Sequence, residues 1–145
     1  MDIFNLPSTA FDIIIVNAVL YMFDEIEFSR AWVSLAAALR PDGRVIVYDF
    51  AHPFAQDIEI IEKTASHPSG LRLCFRPISK IEAVVRSAQL AAIDFKPFTL
   101  PIDLKRHSDD EIITYTVKDE TGHRMAFRGT LFQPWCHMVA RKAVG

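Results

Sequence analysis

His52 is the side chain best suited to move a proton: imidazole titrates near neutrality, and Asp49 stands three positions earlier in Asp49-Phe50-Ala51-His52-Pro53. A histidine oriented by a carboxylate suits the deprotonation of an acceptor hydroxyl or amine. The alternative is a histidine that only stabilises the turn before Pro53, because the residue preceding a proline is held extended. Asn17, Ala18 and Tyr21 form a second group at the end of an apolar run, and Tyr21 adds a phenol to the candidate catalytic set. Its alternative is a strand end capped by Asn17, with Val19, Leu20 and Met22 covering the core. Trp135-Cys136-His137 sets a thiol beside an imidazole, but neighbours on a strand point to opposite faces, so core filling is the better reading. His67 and His123 fall in turns, and Lys105, Arg106 and His107 with Asp109 and Asp110 read as a solvated loop. No metal-ligand spacing occurs.

These residues need elements to position them. Phe11-Asp12-Ile13-Ile14-Ile15-Val16 is apolar at consecutive positions, the habit of a parallel strand buried on both faces. Asp24 and Glu27 then make a capping box for a helix whose stripe is Phe28, Ala31, Trp32, Leu35 and Leu39. Arg40 falls in its last turn, Pro41-Asp42-Gly43 stops it, and Arg44-Val45-Ile46-Val47-Tyr48 is a second strand. Strand, helix and strand at this spacing predict a βαβ unit. Phe54, Ile58, Ile61 and Ala65 predict a short amphipathic helix over 54–65, followed by the loop His67-Pro68-Ser69-Gly70. Ser79 and Glu82 predict a capped helix with Ile81, Val84, Val85 and Ala88 inward, and Ile93-Asp94-Phe95 a strand. Residues 112–128 read as a hairpin, with Ile113, Tyr115 and Val117 on one face, a turn from Asp119 to Gly122, then Met125 and Phe127. Leu131 to Ala140 is a last strand that Pro134 interrupts. The fold class is α/β, a strand-helix-strand core with a C-terminal antiparallel hairpin and strand. Within a single domain over 1–145, residues 52–78 form a lid-like insertion and 102–130 a hairpin extension.

Composition agrees. The 145 residues are 50% hydrophobic and carry a net charge of −2, which excludes a disordered chain and argues against a basic nucleic-acid binder. Two cysteines, Cys74 and Cys136, are too few for a disulfide framework and suit a reducing compartment. The longest apolar run is too short to span a bilayer, and Met1-Asp2-Ile3-Phe4-Asn5 does not open like a signal peptide. The expectation is a cytoplasmic chain.

Phe11-Asp12 with its apolar run into Asn17-Ala18-Val19-Leu20-Tyr21, then Leu39-Arg40-Pro41-Asp42-Gly43-Arg44 and Val45-Ile46-Val47-Tyr48-Asp49, resemble class I S-adenosylmethionine-dependent methyltransferases. Asp2-Ile3 with Leu6-Pro7 resembles the loop after that family's third strand, and His52-Pro53 a motif after its fifth. The resemblance runs from Asp2 to about Ala140 and implies the C-terminal half of a Rossmann-like methyltransferase sheet acting on a small-molecule acceptor. It implies S-adenosylmethionine as cofactor, with Asp2 at the adenine, Ile3 packing beside it, and Asn17 and Ala18 near the methionine part. Phe54, Ile58, Phe75 and Arg76 fall in the segment that caps the acceptor pocket, the alternative being that the stripe is core.

The family's glycine-rich loop has no counterpart, because Gly43, Gly70, Gly122, Gly129 and Gly145 are scattered. Doubly wound sheets bind ligands in a crevice built from strands on both sides, and this sequence owns one side. The Phe11–Val16 strand therefore becomes an edge, a template for pairing. A homodimer through that edge is the simplest partner; the others are a companion chain, or residues 2–10 or the C-terminal hairpin folding over it. A non-enzymatic dimeric module that binds a ligand or protein is the alternative function. A nicotinamide reductase lacks its G-x-G-x-x-G motif here.

Overall fold

The computed structural model describes residues 2–105, 114–118, 121–128 and 131–142. Arg106, His107, Asp109, Asp110, Ile113, Asp119 and Gly129 lie outside the described residues.

Strand β1 (Phe11–Asn17) leads through a 3-10 turn at Leu20–Met22 into helix α1 (Glu25–Ala38) and then strand β2 (Leu39–His52). The β1 and β2 strands pair in parallel, with Ile13 to Asn17 opposite Arg44 to Tyr48, so the βαβ unit forms as predicted. The capping box is present in full: the Asp24 carboxylate accepts from the Glu27 N–H at 2.8 Å, and Glu27 returns the bond to the Asp24 N–H at 3.1 Å. Helix α1 ends at Ala38, so Arg40 lies beyond it. Residues 40–43 bulge out of the ladder, since Phe11 faces Leu39 while Ile13 already faces Arg44. Asp42 takes a φ of +63° there, a conformation that aspartate tolerates better than most residues.

Strands β3 (Ile58–Glu62) and β4 (Leu71–Pro77) precede helix α2 (Ile78–Ser87) and strand β5 (Leu90–Pro97). The helix predicted over 54–65 is a correction: Ile58 to Glu62 pair antiparallel with Phe75 to Leu71. A run of β-branched isoleucines bounded by Pro68 and Gly70 favours a hairpin over the helical spacing that Phe54, Ile58 and Ile61 share by coincidence. Helix α2 begins at Ile78 behind Pro77, with no side-chain cap, so Ser79 is not its N-cap. Ile81 and Val85 are nonetheless its buried stripe.

The main sheet runs β3-β4-β2-β9-β5, with β9 (Trp135–Lys142) antiparallel to β2 and β5; β1 lies beside β2 on the flank where β4 takes its far end. Strands β6 (Thr114–Lys118), β7 (Arg124–Arg128) and β8 (Leu131–Phe132) form a separate small sheet, the predicted hairpin plus the strand that Pro134 separates from β9. Both helices cover one face of the main sheet. Phe28, Trp32, Leu35, Ile81 and Val85 pack there against Val16, Val45, Val47, Met138 and Ala140. Burying each large apolar side chain of this set contributes roughly 1.5–3 kcal/mol. Alternation sends Ile13, Ile15, Ile46, Tyr48, Phe50, Trp135 and His137 to the opposite face. Strand β1 is thus parallel as expected but not buried on both faces, for Ile13 is 48% and Ile15 73% exposed. No helix among the described residues is long and apolar enough to cross a membrane.

Candidate functional site

The carboxyl ends of β1 and β2 meet at one turn. Ala18, immediately after β1, adopts a φ of +53° and donates its N–H to the Tyr48 carbonyl at 2.8 Å. An alanine in the left-handed region costs about 1–2 kcal/mol, so the surroundings must impose it. Asp49 is the group that does so. One of its oxygens accepts from the N–H of Leu20 at 2.7 Å and of Val19 at 3.2 Å, and the other from Phe50 at 2.7 Å. The carboxyl is buried, and that burial lifts it to a pKa of about 6 against the opposing pull of these N–H donors.

His52 is fully buried at 0% exposure. Its Nε2 lies 3.1 Å from the Phe75 carbonyl and donates to it, and Nδ1 has no hydrogen-bond partner among the described residues. Asp49 and His52 do not come together, which corrects the expected pairing. Residues three apart on a pleated strand face opposite sides: Asp49 braces the turn on the helical side, while His52 joins Phe75 and Phe54 on the other. Tyr21 is half-buried, with its ring 4.9 Å from Phe50 and edge-on to Trp135 at 6.2 Å. Burial first, then the charges of Asp49 and Glu62, push its phenol upward, so it remains protonated at neutral pH.

The four residues of the expected acceptor pocket differ in exposure, although Ile58 pairs opposite Phe75 across the β3–β4 ladder. Phe54, 52% exposed, and Ile58 lie on the surface. Phe75 is buried against Phe50, with ring centroids 4.2 Å apart. Arg76, only 2% exposed, is a brace. Its guanidinium donates to the Phe23 carbonyl, to the Leu20 carbonyl at 3.3 Å and to Glu25 at 3.2 Å, and lies 4.1 Å over the Phe28 ring. Lys80 extends the network by ion pairs to Glu25 at 2.9 Å and Asp57 at 2.6 Å. Sequence reasoning missed this clamp, because its members come from α1, α2 and the β3–β4 segment and share no local spacing. Arg76 and Asp49 therefore hold the Leu20–Met22 turn from two sides, and a cavity of about 20 Å3 between them is lined by Leu20, Tyr21, Phe28, Cys74 and Met138. That is room for one water.

Asp2 is exposed, and the hydrogen bond it accepts from the Phe4 N–H at 3.0 Å, with another from Asn5, holds its carboxyl below the usual range. Ile3 packs against the main core and Asn17 is exposed. Gly43 lies at the amino end of β1 and β2, where an added Cβ would stand 2.9 Å from the Arg40 carbonyl and 3.2 Å from that of Asp12. Gly70 and Gly122 have positive φ in loops, so among the described residues no glycine cradle stands at the strands' carboxyl ends. A cavity of about 300 Å3 lies elsewhere, lined by Thr99, Leu100, Pro101, Gly122, His123 and Arg124. A cofactor the size of S-adenosylmethionine needs roughly 300 Å3 or more, so the residues around the Leu20–Met22 turn do not enclose one by themselves. Cys136 is buried and its thiol is pushed up to about 11 by that burial, consistent with core filling. Among the described residues no cluster of His, Cys, Asp or Glu could hold a metal ion.

No protein-family profile and no curated protein matches the chain. Its fold does match solved structures. A SAM-dependent methyltransferase from Methanosarcina mazei superposes with a TM-score of 0.65 at 11% identity, over 100% of this chain and 66% of that one. The Burkholderia thailandensis 1,6-didemethyltoxoflavin-N1-methyltransferase, solved with S-adenosylhomocysteine, gives 0.56 at 15% identity over 99% and 49%. The [4+2]-cyclase SpnF gives 0.60 at 15% over 100% and 55%. The chain thus spans between half and two thirds of these neighbours' length. It has the partial Rossmann-like α/β fold of the S-adenosylmethionine-dependent methyltransferases.

Proposed function

We propose that residues 2–142 supply one wall of an S-adenosylmethionine-dependent methyl-transfer site for a small-molecule acceptor, and that a further segment or a second chain supplies the rest of the cofactor site. The observation that carries the reading is the braced turn at the carboxyl ends of β1 and β2, where doubly wound sheets bind ligands. Exposed Asn17 precedes it and half-buried Tyr21 lies within it, but the turn encloses no ligand-sized space. Methyl transfer depends chiefly on aligning two reactants, which a rigid turn can serve without a base. Asp49 and Arg76 would act here as positioning residues, and Tyr21 as a hydrogen-bond donor to the acceptor. His52 Nδ1 has no hydrogen-bond partner among the described residues, but complete burial withholds it from any acceptor.

Calorimetric titration of the chain with S-adenosylhomocysteine tests the reading. Dissociation in the micromolar range, about −8 kcal/mol, is expected once the second wall is present. Absence of heat at millimolar ligand in every assembly state would refute it. It would favour a non-enzymatic binding module, a reading supported by the internal use of the Asp2 and Asp49 carboxylates.

A further inference from the structure

We infer that Lys80 is a positioning residue that ties the segment 53–57, which follows β2, to the Leu20–Met22 turn, which follows β1. Arg76 grips that turn by donating to the Leu20 and Phe23 carbonyls, and its side chain is almost fully buried. A buried cation needs a countercharge, and among the described residues the one ionic partner of Arg76 is Glu25 at 3.2 Å. The Glu25 side chain is more than half exposed in the first turn of α1, so by itself it would sample several rotamers. Lys80 takes its other oxygen at 2.9 Å, and Asp57 takes Lys80 at 2.6 Å. A polar chain thus runs Asp57–Lys80–Glu25–Arg76 and ends on two carbonyls of the turn. Asp57 itself has no hydrogen bond or ion pair to the turn among the described residues.

Isolated exposed ion pairs contribute little, because each must order two long side chains. Here one end of the chain, Arg76, is already fixed by burial and by the turn's carbonyls. Lys80 also stands where a helix disfavours a cation. It lies in the first turn of α2, whose amino end has no side-chain cap and no acidic residue. A local preference broken in this way is accounted for when the side chain serves a distant contact. The Glu82–Arg86 pair of the same helix, by contrast, follows the ordinary four-residue spacing and links only residues of α2. Both tied segments border the carboxyl ends of β1 and β2, so a ligand that displaces residues 53–57 would be felt at Tyr21. That role in the site rests on the methyl-transfer reading, whereas the tie itself does not.

Hydrogen exchange and NMR on the full chain without cofactor test the tie, so its failure is separate from failure to bind S-adenosylhomocysteine. Lys80→Met should speed exchange of the Leu20 and Phe23 amides by about three- to tenfold, as for one charge-assisted hydrogen bond lost from a partly exposed network. The amides of Val45–Val47 should be unchanged. The Tyr21 ring resonances, which the neighbouring Phe50 and Trp135 rings displace, should shift as well. Lys80→Arg should restore both signals, since a guanidinium can bridge the same two carboxylates. Asp57→Asn should shift Tyr21 in the same direction and add little to Lys80→Met, because the two side chains act through one path. Arg86→Met should leave Tyr21 in place. Tyr21 signals that do not move in Lys80→Met, that Lys80→Arg fails to restore, or that Arg86→Met moves as far overturn the proposal. Effects of Asp57→Asn and Lys80→Met that simply add overturn it too.

Discussion

Asp49 shows how one buried carboxylate can organise a turn that no local propensity would form. It draws the amides of Val19, Leu20 and Phe50 inward and so fixes where Tyr21 points. Its pKa near 6 has a consequence for stability. The folded chain holds this proton more tightly than the unfolded chain, whose carboxylate titrates near 3.8. Stability from this group is therefore highest below pH 4 and declines as pH rises to about 6, by on the order of 3 kcal/mol, then levels off. Asp49→Asn should abolish that decline, so the difference in melting temperature between wild type and variant should change across pH 4–6 and be flat above pH 7. A difference that is constant with pH would show that the carboxyl titrates as in the unfolded chain. The residue's importance was legible in the sequence, but its partner was not. Proximity to His52 along the chain suggested a pair, and the alternation of a strand separates them.

The elements legible from sequence were those whose signals are local. The Asp24–Glu27 box, the Phe28–Leu35 stripe and the consecutive apolar strands depend on spacing within one segment, and each formed. The β3–β4 hairpin was misread because Phe54, Ile58 and Ile61 satisfy a helical period while pairing with Leu71–Phe75 decides the outcome. The decisive tertiary term is carried in part by Gly70, at the far end of that hairpin. It has a φ of +100°, and an added Cβ would stand 2.5 Å from Ile61 Cγ2. Gly70→Ala thus meets both backbone strain and a clash with the strand, and should destabilise the hairpin by roughly 1–3 kcal/mol. A lowered denaturant midpoint, with loss of amide protection in Ile58–Glu62 but not in α1, is the expected result. Protection lost equally everywhere would mean that the hairpin and the main sheet open together.

At the scale of the whole molecule, stability should be unevenly distributed. Strand β2 is bonded on both flanks, by β1 and β4 on one and β9 on the other, and it carries Val45 and Val47 at the centre of the core. The β6-β7-β8 sheet has its own ladder, but Tyr115 is its one buried residue among those described. A small three-stranded sheet with so little buried apolar surface is marginal by itself. Its opening should cost several kcal/mol less than global unfolding. In native-state hydrogen exchange, the amides of Val45–Asp49 should exchange only at the rate set by global unfolding. Bonded amides of Thr114–Lys118 and Arg124–Arg128 should exchange at least about 100-fold faster, which corresponds to about 2.7 kcal/mol at 25 °C. The two sets should also respond differently to low denaturant, steeply for β2 and weakly for the small sheet, because local opening exposes little surface. Coincident rates and slopes would mean that the small sheet is bound into the main fold by contacts stronger than the Glu62–Arg128 ion pair at 3.8 Å provides.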